Sequence, residues 1–189
     1  MAFKRRSLAL TLIAVGFAAQ WVSWARIDRA AFQYHYYTAL PFVVLALAYF
    51  LAEIWPLVRR EIPGARLTLA GASPPDWVRA LDGAEGVRVA GEVDDVRPLF
   101  WGHAVLAVPL RAGSGTRIKI LEAMGAGLPV VSTPVGAAGI VARDGEEIAI
   151  ATRPAAFAAR LVERLRDPAG GERMADRARK LAASRYDWT

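Results

Sequence analysis

The chain has 189 residues, a net charge of +6 and 54% hydrophobic residues, which suits one domain with an appendage. It has no cysteine and only two, widely separated histidines, which excludes disulfides and thiolate sites and argues against a histidine metal cluster, so we predict no metal. The basic residues are scattered among Ala and Gly without an aromatic-interleaved patch, so we predict no nucleic-acid partner.

The first apolar segment, residues 7–25, carries no charge and follows Lys4-Arg5-Arg6. A second apolar run begins at residue 38 and ends at Arg59-Arg60. The first is about the length that a helix needs to cross a bilayer. Basic clusters at the two outer ends place both termini in the cytoplasm. We therefore predict a membrane hairpin over residues 1–54, with helices at about 7–25 and 38–53 in contact with membrane lipid.

Two alternatives to this hairpin stay open. The basic start and the first apolar run also fit a cleaved signal peptide, although the run is long for one. The second run also fits a membrane helix whose tail is a soluble helix, because residues 48–60 show helical periodicity that suits packing on the domain that follows. In that case the membrane helix ends near Glu53 and continues as a soluble helix.

After residue 56, short apolar runs alternate with helical stretches. We predict strands at 65–70, 87–90, 104–108, 129–132 and 147–151, and helices at 75–81, 96–101, 117–125, 154–166 and 171–184. Such alternation predicts an α/β fold with a parallel sheet that is covered by helices on both faces. Ligands of such sheets bind beyond the carboxyl ends of the strands.

A glycine-rich loop follows the strand at 104–108, and we expect a helix to start near Ser114–Thr116. Gly113 and Gly115 permit close approach of the backbone. The first amides of a helix have no internal partner and lie at the positive end of its dipole, so a diphosphate fits there. The counter-charges available nearby are those of Arg111, Arg117 and Lys119.

Glu122 lies six residues past Thr116, about 9 Å along a helix axis. Helical side chains tilt toward the N-terminus, so the carboxylate could reach back toward the ribose of a bound nucleotide. The alternative is a surface glutamate beside an ordinary glycine-rich loop, and spacing alone does not separate the two.

The sequence SGTRIKILEAMGAGLPVVSTPVGAAG resembles the donor-binding motif of retaining GT-B glycosyltransferases of family 4 (group 1), and the resemblance runs from about residue 55 to 189. It implies an incomplete Rossmann-like parallel sheet, the C-terminal half of GT-B, preceded here by the two-helix transmembrane hairpin. The implied ligand is a nucleotide sugar, without a metal or a cofactor.

The resemblance also implies roles for individual residues. The diphosphate is cradled by Gly113, Ser114, Gly115 and Thr116, with Arg117 or Lys119 as the cation. Glu122 binds the ribose, and the loop that contains Gly136 closes the other side of the site. Ser114 stands where the family has a glutamate that contacts the donor sugar.

Two features depart from a full GT-B enzyme. We find no counterpart of the N-terminal acceptor domain or of the first strand of the C-terminal domain, so a partner would have to supply the acceptor side. In their place, residues 24–55 resemble, through YHYYTALPF, the C-terminal membrane region of protein O-mannosyltransferases.

We therefore expect a membrane-tethered domain, residues 55–189, on the cytoplasmic side of the membrane. It would bind a nucleoside-diphosphate sugar for retaining glycosyl transfer. The alternative is a non-catalytic fusion or truncated product that acts as an interaction or anchor subunit.

Overall fold

The computed structural model describes residues 43–112 and 117–186. The first predicted membrane helix, residues 7–25, lies outside the described part of the chain, as do residues 38–42 of the second. Within the described ranges, no helix is both long enough and apolar enough to span a bilayer. The described residues all belong to one compact unit.

Strands and helices alternate along the described chain, as the sequence predicts. The strands are β1 (Leu67–Ala70), β2 (Val87–Gly91), β3 (Leu106–Val108), β4 (Val130–Ser132) and β5 (Ala149–Ile150). The helices are α1 (Trp55–Glu61), α2 (Asp76–Arg79), α3 (Arg97–Trp101), α4 (Ile118–Ala126), α5 (Pro154–Arg166) and α6 (Pro168–Arg185). Apart from α1, each bound lies within three residues of the predicted span.

Helix α1 is the end of a longer helical segment. Helical residues 43–49 and a π-helical turn, Phe50–Ile54, run directly into it, and we call residues 43–61 the leading helix. Phe50 and Ile54 are 3% and 1% exposed, and the Phe50 ring meets that of Phe157 in α5 edge-on, with centroids 6.3 Å apart. The alternative in which residues 48–60 pack on the α/β domain is confirmed, and the predicted boundary at residue 55 falls inside a packed helix.

The described strands form two parallel sheets, β1-β2 and β3-β4-β5, where the sequence predicts one. Side chains connect β1 to the start of β3: Nε2 of His103 lies 2.8 Å from Oγ1 of Thr68, and Nδ1 lies 2.6 Å from the Leu99 carbonyl oxygen. Because a carbonyl only accepts, Nδ1 carries a proton and donates it to Leu99, while Nε2 is hydrogen-bonded to the Thr68 hydroxyl. This side-chain contact connects β1 with the segment before β3.

Helices cover both faces of the second sheet, as predicted. Val131 of β4 packs in one cluster with Phe157 of α5, whereas its neighbour Val130 packs in another with Ile120 and Met124 of α4. Successive residues of a strand point to opposite faces, so the two clusters lie on opposite sides of β4. The first cluster also contains Val87 of β2, which gives the two sheets a common core.

Candidate functional site

Strands β3 and β4 are parallel neighbours, so the loops that follow them leave the sheet at the same carboxyl edge. We call residues 109–117 the first loop and residues 133–140 the second loop. Four residues of the predicted diphosphate cradle, Gly113, Ser114, Gly115 and Thr116, lie outside the described residues. The described parts of both loops show how the loops are joined.

Thr133, the first residue of the second loop, connects three backbone segments. Its amide donates to the Val108 carbonyl oxygen at 3.3 Å. Its Oγ1 donates to the Leu110 carbonyl oxygen in the first loop and accepts from the Gly136 amide at 2.9 Å. The residue is only 5% exposed, so water cannot readily replace these bonds. One buried side chain therefore sets the spacing of the two loops.

Gly136 is required by packing. A Cβ at this position would lie 2.4 Å from Oγ of Ser132 and 3.0 Å from the Val108 carbonyl oxygen. Ser132 is fully buried and its Oγ donates to the Thr133 carbonyl oxygen at 3.1 Å, so it has little room to move. The sequence singled out Gly136 for its position beside a ligand, and that contact stays a prediction.

Arg117 joins the first loop to the second. Its Nη2 donates to the Val135 carbonyl oxygen at 2.9 Å, in a partly buried position. The sequence predicts that this side chain neutralises a diphosphate. The structure shows a bond to the backbone of the second loop, and the contact with a phosphate stays a prediction.

Helix α4 begins at Ile118, later than the predicted start near Ser114–Thr116. Its buried residues, Ile120, Ala123 and Met124, follow the i, i+3, i+4 spacing of a core-facing stripe. Arg117, the residue directly before it, has a non-helical backbone (φ −86°, ψ 52°), so the helix does not extend back to the predicted start.

Glu122 and Lys119 pair with each other on the exposed side of α4. Nζ of Lys119 lies 3.0 Å from Oε2 of Glu122, and the two side chains are 69% and 39% exposed. Glu122 reaches toward the N-terminus of the helix, in the direction that the sequence analysis expected. Glu122 lies four positions after Ile118, the first residue of α4, about 6 Å along the helix axis. It is accessible to a ligand at that end of the helix.

Arg111 contacts a residue that the sequence analysis did not connect with the site. Its guanidinium carbon lies 4.6 Å from the centroid of the Tyr49 ring, over the face of that ring. Tyr49 belongs to the leading helix, 62 positions earlier in the chain. The sequence does carry a signal, since aromatic residues mark the end of the second apolar run, but it indicates a membrane interface and not an arginine partner.

The buried carboxylate of Glu147 accepts hydrogen bonds within the turn that connects the second loop to β5. Oε2 and Oε1 of Glu147 accept hydrogen bonds from the amide and from Nη2 of Arg143, at 2.9 and 2.8 Å. The Arg143 side chain, followed by its amide, lowers the pKa of Glu147 despite burial of the carboxyl. Among the described residues, no group of three His, Asp or Glu side chains could hold a metal ion.

Comparison with known proteins identifies the family of this chain. The profile for glycosyl transferases group 1 matches residues 39–167, so the matched region includes the leading helix. Glycogen synthase of Mycobacterium tuberculosis is 33% identical over 143 residues, which cover 70% of this chain and 34% of that protein. The chain spans two fifths or less of the length of the curated relatives that it matches.

Solved structures share the fold. The structure of Anabaena HepE in complex with UDP-glucose superposes with a TM-score of 0.61 at 20% identity, over 71% of this chain and 40% of that one. The C-terminal domain of a glycosyl transferase group 1 family protein (LpcC) from Francisella tularensis superposes with a TM-score of 0.60 at 16% identity. The superposition covers 71% of this chain and 77% of that one. The predicted GT-B-like α/β fold is confirmed, whereas the resemblance of residues 24–55 to protein O-mannosyltransferases stays a prediction. Because the family profile covers well over half of the sequence, this chain belongs to the glycosyl transferases group 1.

Proposed function

We propose that the chain binds a nucleoside-diphosphate sugar at the carboxyl edge of β3 and β4, for glycosyl transfer with retention of configuration. The observation that carries the proposal is the pair of loops joined by Thr133 and Arg117, with α4 and its accessible Glu122 directly after the first loop. Support comes from the family match and from a structural neighbour that was crystallised with UDP-glucose.

Each predicted site residue has a role in this proposal. The backbone of residues 113–116 binds the diphosphate, and Arg117 or Lys119 adds positive charge. Glu122 accepts hydrogen bonds from the ribose hydroxyls, and the second loop closes the opposite side. In the reaction, the bond between the anomeric carbon and the diphosphate oxygen breaks. The anomeric carbon then bonds to an acceptor oxygen, which loses its proton, and the nucleoside diphosphate leaves.

Binding of UDP and GDP to the full chain, measured by titration calorimetry, tests the first half of this proposal. Glu122→Ala should weaken binding about 10- to 100-fold, because it removes charged hydrogen-bond acceptors. Glu172→Ala is the matched control, since Glu172 is an exposed carboxylate on α6 and should leave the affinity unchanged. The 56–189 fragment is unsuitable, because it would lack the buried Phe50 and Ile54.

Binding of 2′-deoxy-UDP distinguishes a contact between Glu122 and the ribose from a general electrostatic effect. If Glu122 binds the ribose, the wild-type chain prefers UDP over 2′-deoxy-UDP, and Glu122→Ala loses that preference. An unchanged preference in the variant would exclude the ribose assignment. Binding without any sugar transfer to an acceptor would favour the alternative, a donor-binding or interaction subunit without activity of its own.

We also propose that residues 7–25 tether the chain to the cytoplasmic face of a membrane. The support is the uncharged run itself and the basic cluster before it. Ile13→Arg places a charge near the centre of the run, which costs about 2.5–3.5 kcal/mol for insertion, and should release the chain from carbonate-washed membranes. Arg185→Cys creates a unique thiol in a cysteine-free chain, and its labelling by an impermeant reagent from the outer side would contradict the cytoplasmic placement.

A further inference from the structure

The contact between Arg111 and Tyr49 connects the leading helix with the first loop. Arg111 lies three residues beyond the end of β3, and its guanidinium carbon lies over the Tyr49 ring, 4.6 Å from the ring centroid. The ring is partly buried against the main core, so packing holds it in place before any ligand arrives. The helix therefore presents a fixed surface on which the arginine rests.

The contact with the Tyr49 ring does not neutralise the positive charge of Arg111. A guanidinium has five N–H donors in its plane, and a cation–π contact uses none of them to bind an anion. No ion pair between described residues includes Arg111. The other two basic candidates differ, because Arg117 donates to the Val135 carbonyl oxygen and Lys119 pairs with Glu122.

The backbone beside Arg111 is anchored as well. The carbonyl oxygen of the preceding residue, Leu110, accepts the hydrogen bond from Oγ1 of buried Thr133. Arg111 is thus held at both ends, by Thr133 through the backbone and by Tyr49 through the side chain. A cation with this little freedom loses less conformational entropy when it binds an anion.

We propose that Arg111 binds phosphate oxygens of the nucleotide ligand and that Tyr49 is the residue that positions it. The inference rests on the proposed nucleotide site and specifies how its charge is balanced. The planar donors of Arg111 match two oxygens of a phosphate. The leading helix then contributes to ligand binding without touching the ligand, through a ring that orients the arginine.

Titrations of the full chain with UDP, uridine and inorganic diphosphate test this inference. Arg111→Gln should lower the affinity for UDP and for diphosphate about 10- to 100-fold and leave that for uridine unchanged. Arg66→Gln removes the same charge at an exposed position before β1, a strand of the other sheet, and should have no effect. GDP replaces UDP, and guanosine replaces uridine, if GDP is the nucleotide bound.

Two substitutions at Tyr49 separate positioning from simple packing. Tyr49→Phe keeps the ring and should bind UDP like the wild type. Tyr49→Leu removes the ring and should weaken UDP binding about two- to fivefold, the value of an exposed cation–π contact, again with no effect on uridine. Equal losses for UDP and uridine, or equal behaviour of the Leu and Phe variants, would contradict the positioning role.

The remaining outcomes distinguish the inference from the function on which it rests. If UDP binds and Arg111→Gln behaves like Arg66→Gln, the inference is wrong and the nucleotide site stands. If inorganic diphosphate binds in an Arg111-dependent way but UDP and GDP do not, the inference stands and the nucleotide proposal is wrong. If none of these ligands binds the wild-type chain, both are overturned.

Discussion

Nη2 of Arg117 donates a hydrogen bond to the carbonyl oxygen of Val135 at 2.9 Å, and this bond joins the two loops at the carboxyl edge of the second sheet. The residues are 18 positions apart and belong to different loops. The bond lies directly before α4, the helix that carries Glu122. The conformation of the second loop therefore depends on a side chain from the first loop.

Arg117→Gln should loosen the second loop. The Val135 carbonyl oxygen loses a partly buried charged donor, and the free energy of unfolding should fall by about 0.5–1.5 kcal/mol. Hydrogen exchange should accelerate at the amides of Gly136 and Ala137. Lys119→Gln is the control, because its ion pair is exposed, and should change stability by less than about 0.5 kcal/mol. Unchanged exchange in Arg117→Gln would contradict the joining role.

Gly136→Ala should destabilise the chain, since its Cβ would lie 2.4 Å from Oγ of Ser132 and 3.0 Å from the Val108 carbonyl oxygen. Overpacking of this kind costs about 1–3 kcal/mol, which denaturant unfolding measures. Gly125→Ala is the matched control on α4, where nothing lies within 4 Å of the added Cβ. There the change should raise stability by about 0.5–1 kcal/mol, because alanine favours the helix.

Glu147 should make stability depend on acid pH. Hydrogen bonds from Arg143 lower the pKa of this carboxyl in the folded chain. The folded state therefore favours the ionised form, and the contribution to stability is present above the ordinary carboxyl pKa and is lost as the pH falls through the lower, folded value. Unfolding measured between about pH 5 and pH 3 should show a flatter dependence for Glu147→Gln than for the wild type.

The matched variant in the same turn is Glu146→Gln. The Glu146 side chain is 48% exposed, against 9% for Glu147, although both contact Arg143. The variant should keep most of the acid dependence of the wild type. If Glu146→Gln flattens the pH dependence of the unfolding free energy and Glu147→Gln does not, exposed charge controls the acid response and the buried hydrogen bonds do not.

Phe50→Ala tests whether the leading helix belongs to the folded domain. Phe50 is 3% exposed and packs edge-on against Phe157, so its loss should cost about 3–5 kcal/mol of unfolding free energy. Leu45→Ala lies on the same segment, where the side chain is 65% exposed, and should change stability by less than about 0.5 kcal/mol. Similar values for the two variants would show that the domain folds without this segment.

Local patterns predicted most of the elements. Alternating apolar runs and helical stretches located every strand and helix of the described domain, because each depends on a short run of neighbouring residues. The expected helix start near Ser114–Thr116 was too early, since α4 begins at Ile118 and its first buried residue is Ile120. The division into two sheets was missed, because strand pairing depends on contacts between residues that are far apart in the chain.

The sequence by itself determined the class of fold, the order of its elements and the position of the two glycine-containing loops, since these follow from local periodicity and backbone freedom. Only the tertiary structure decided which side chains hold those loops: Thr133 on Leu110, Arg117 on Val135 and Tyr49 beneath Arg111. These partners are distant in the chain. Strand register and the packing of the leading helix bring them together, and no local pattern contains that information.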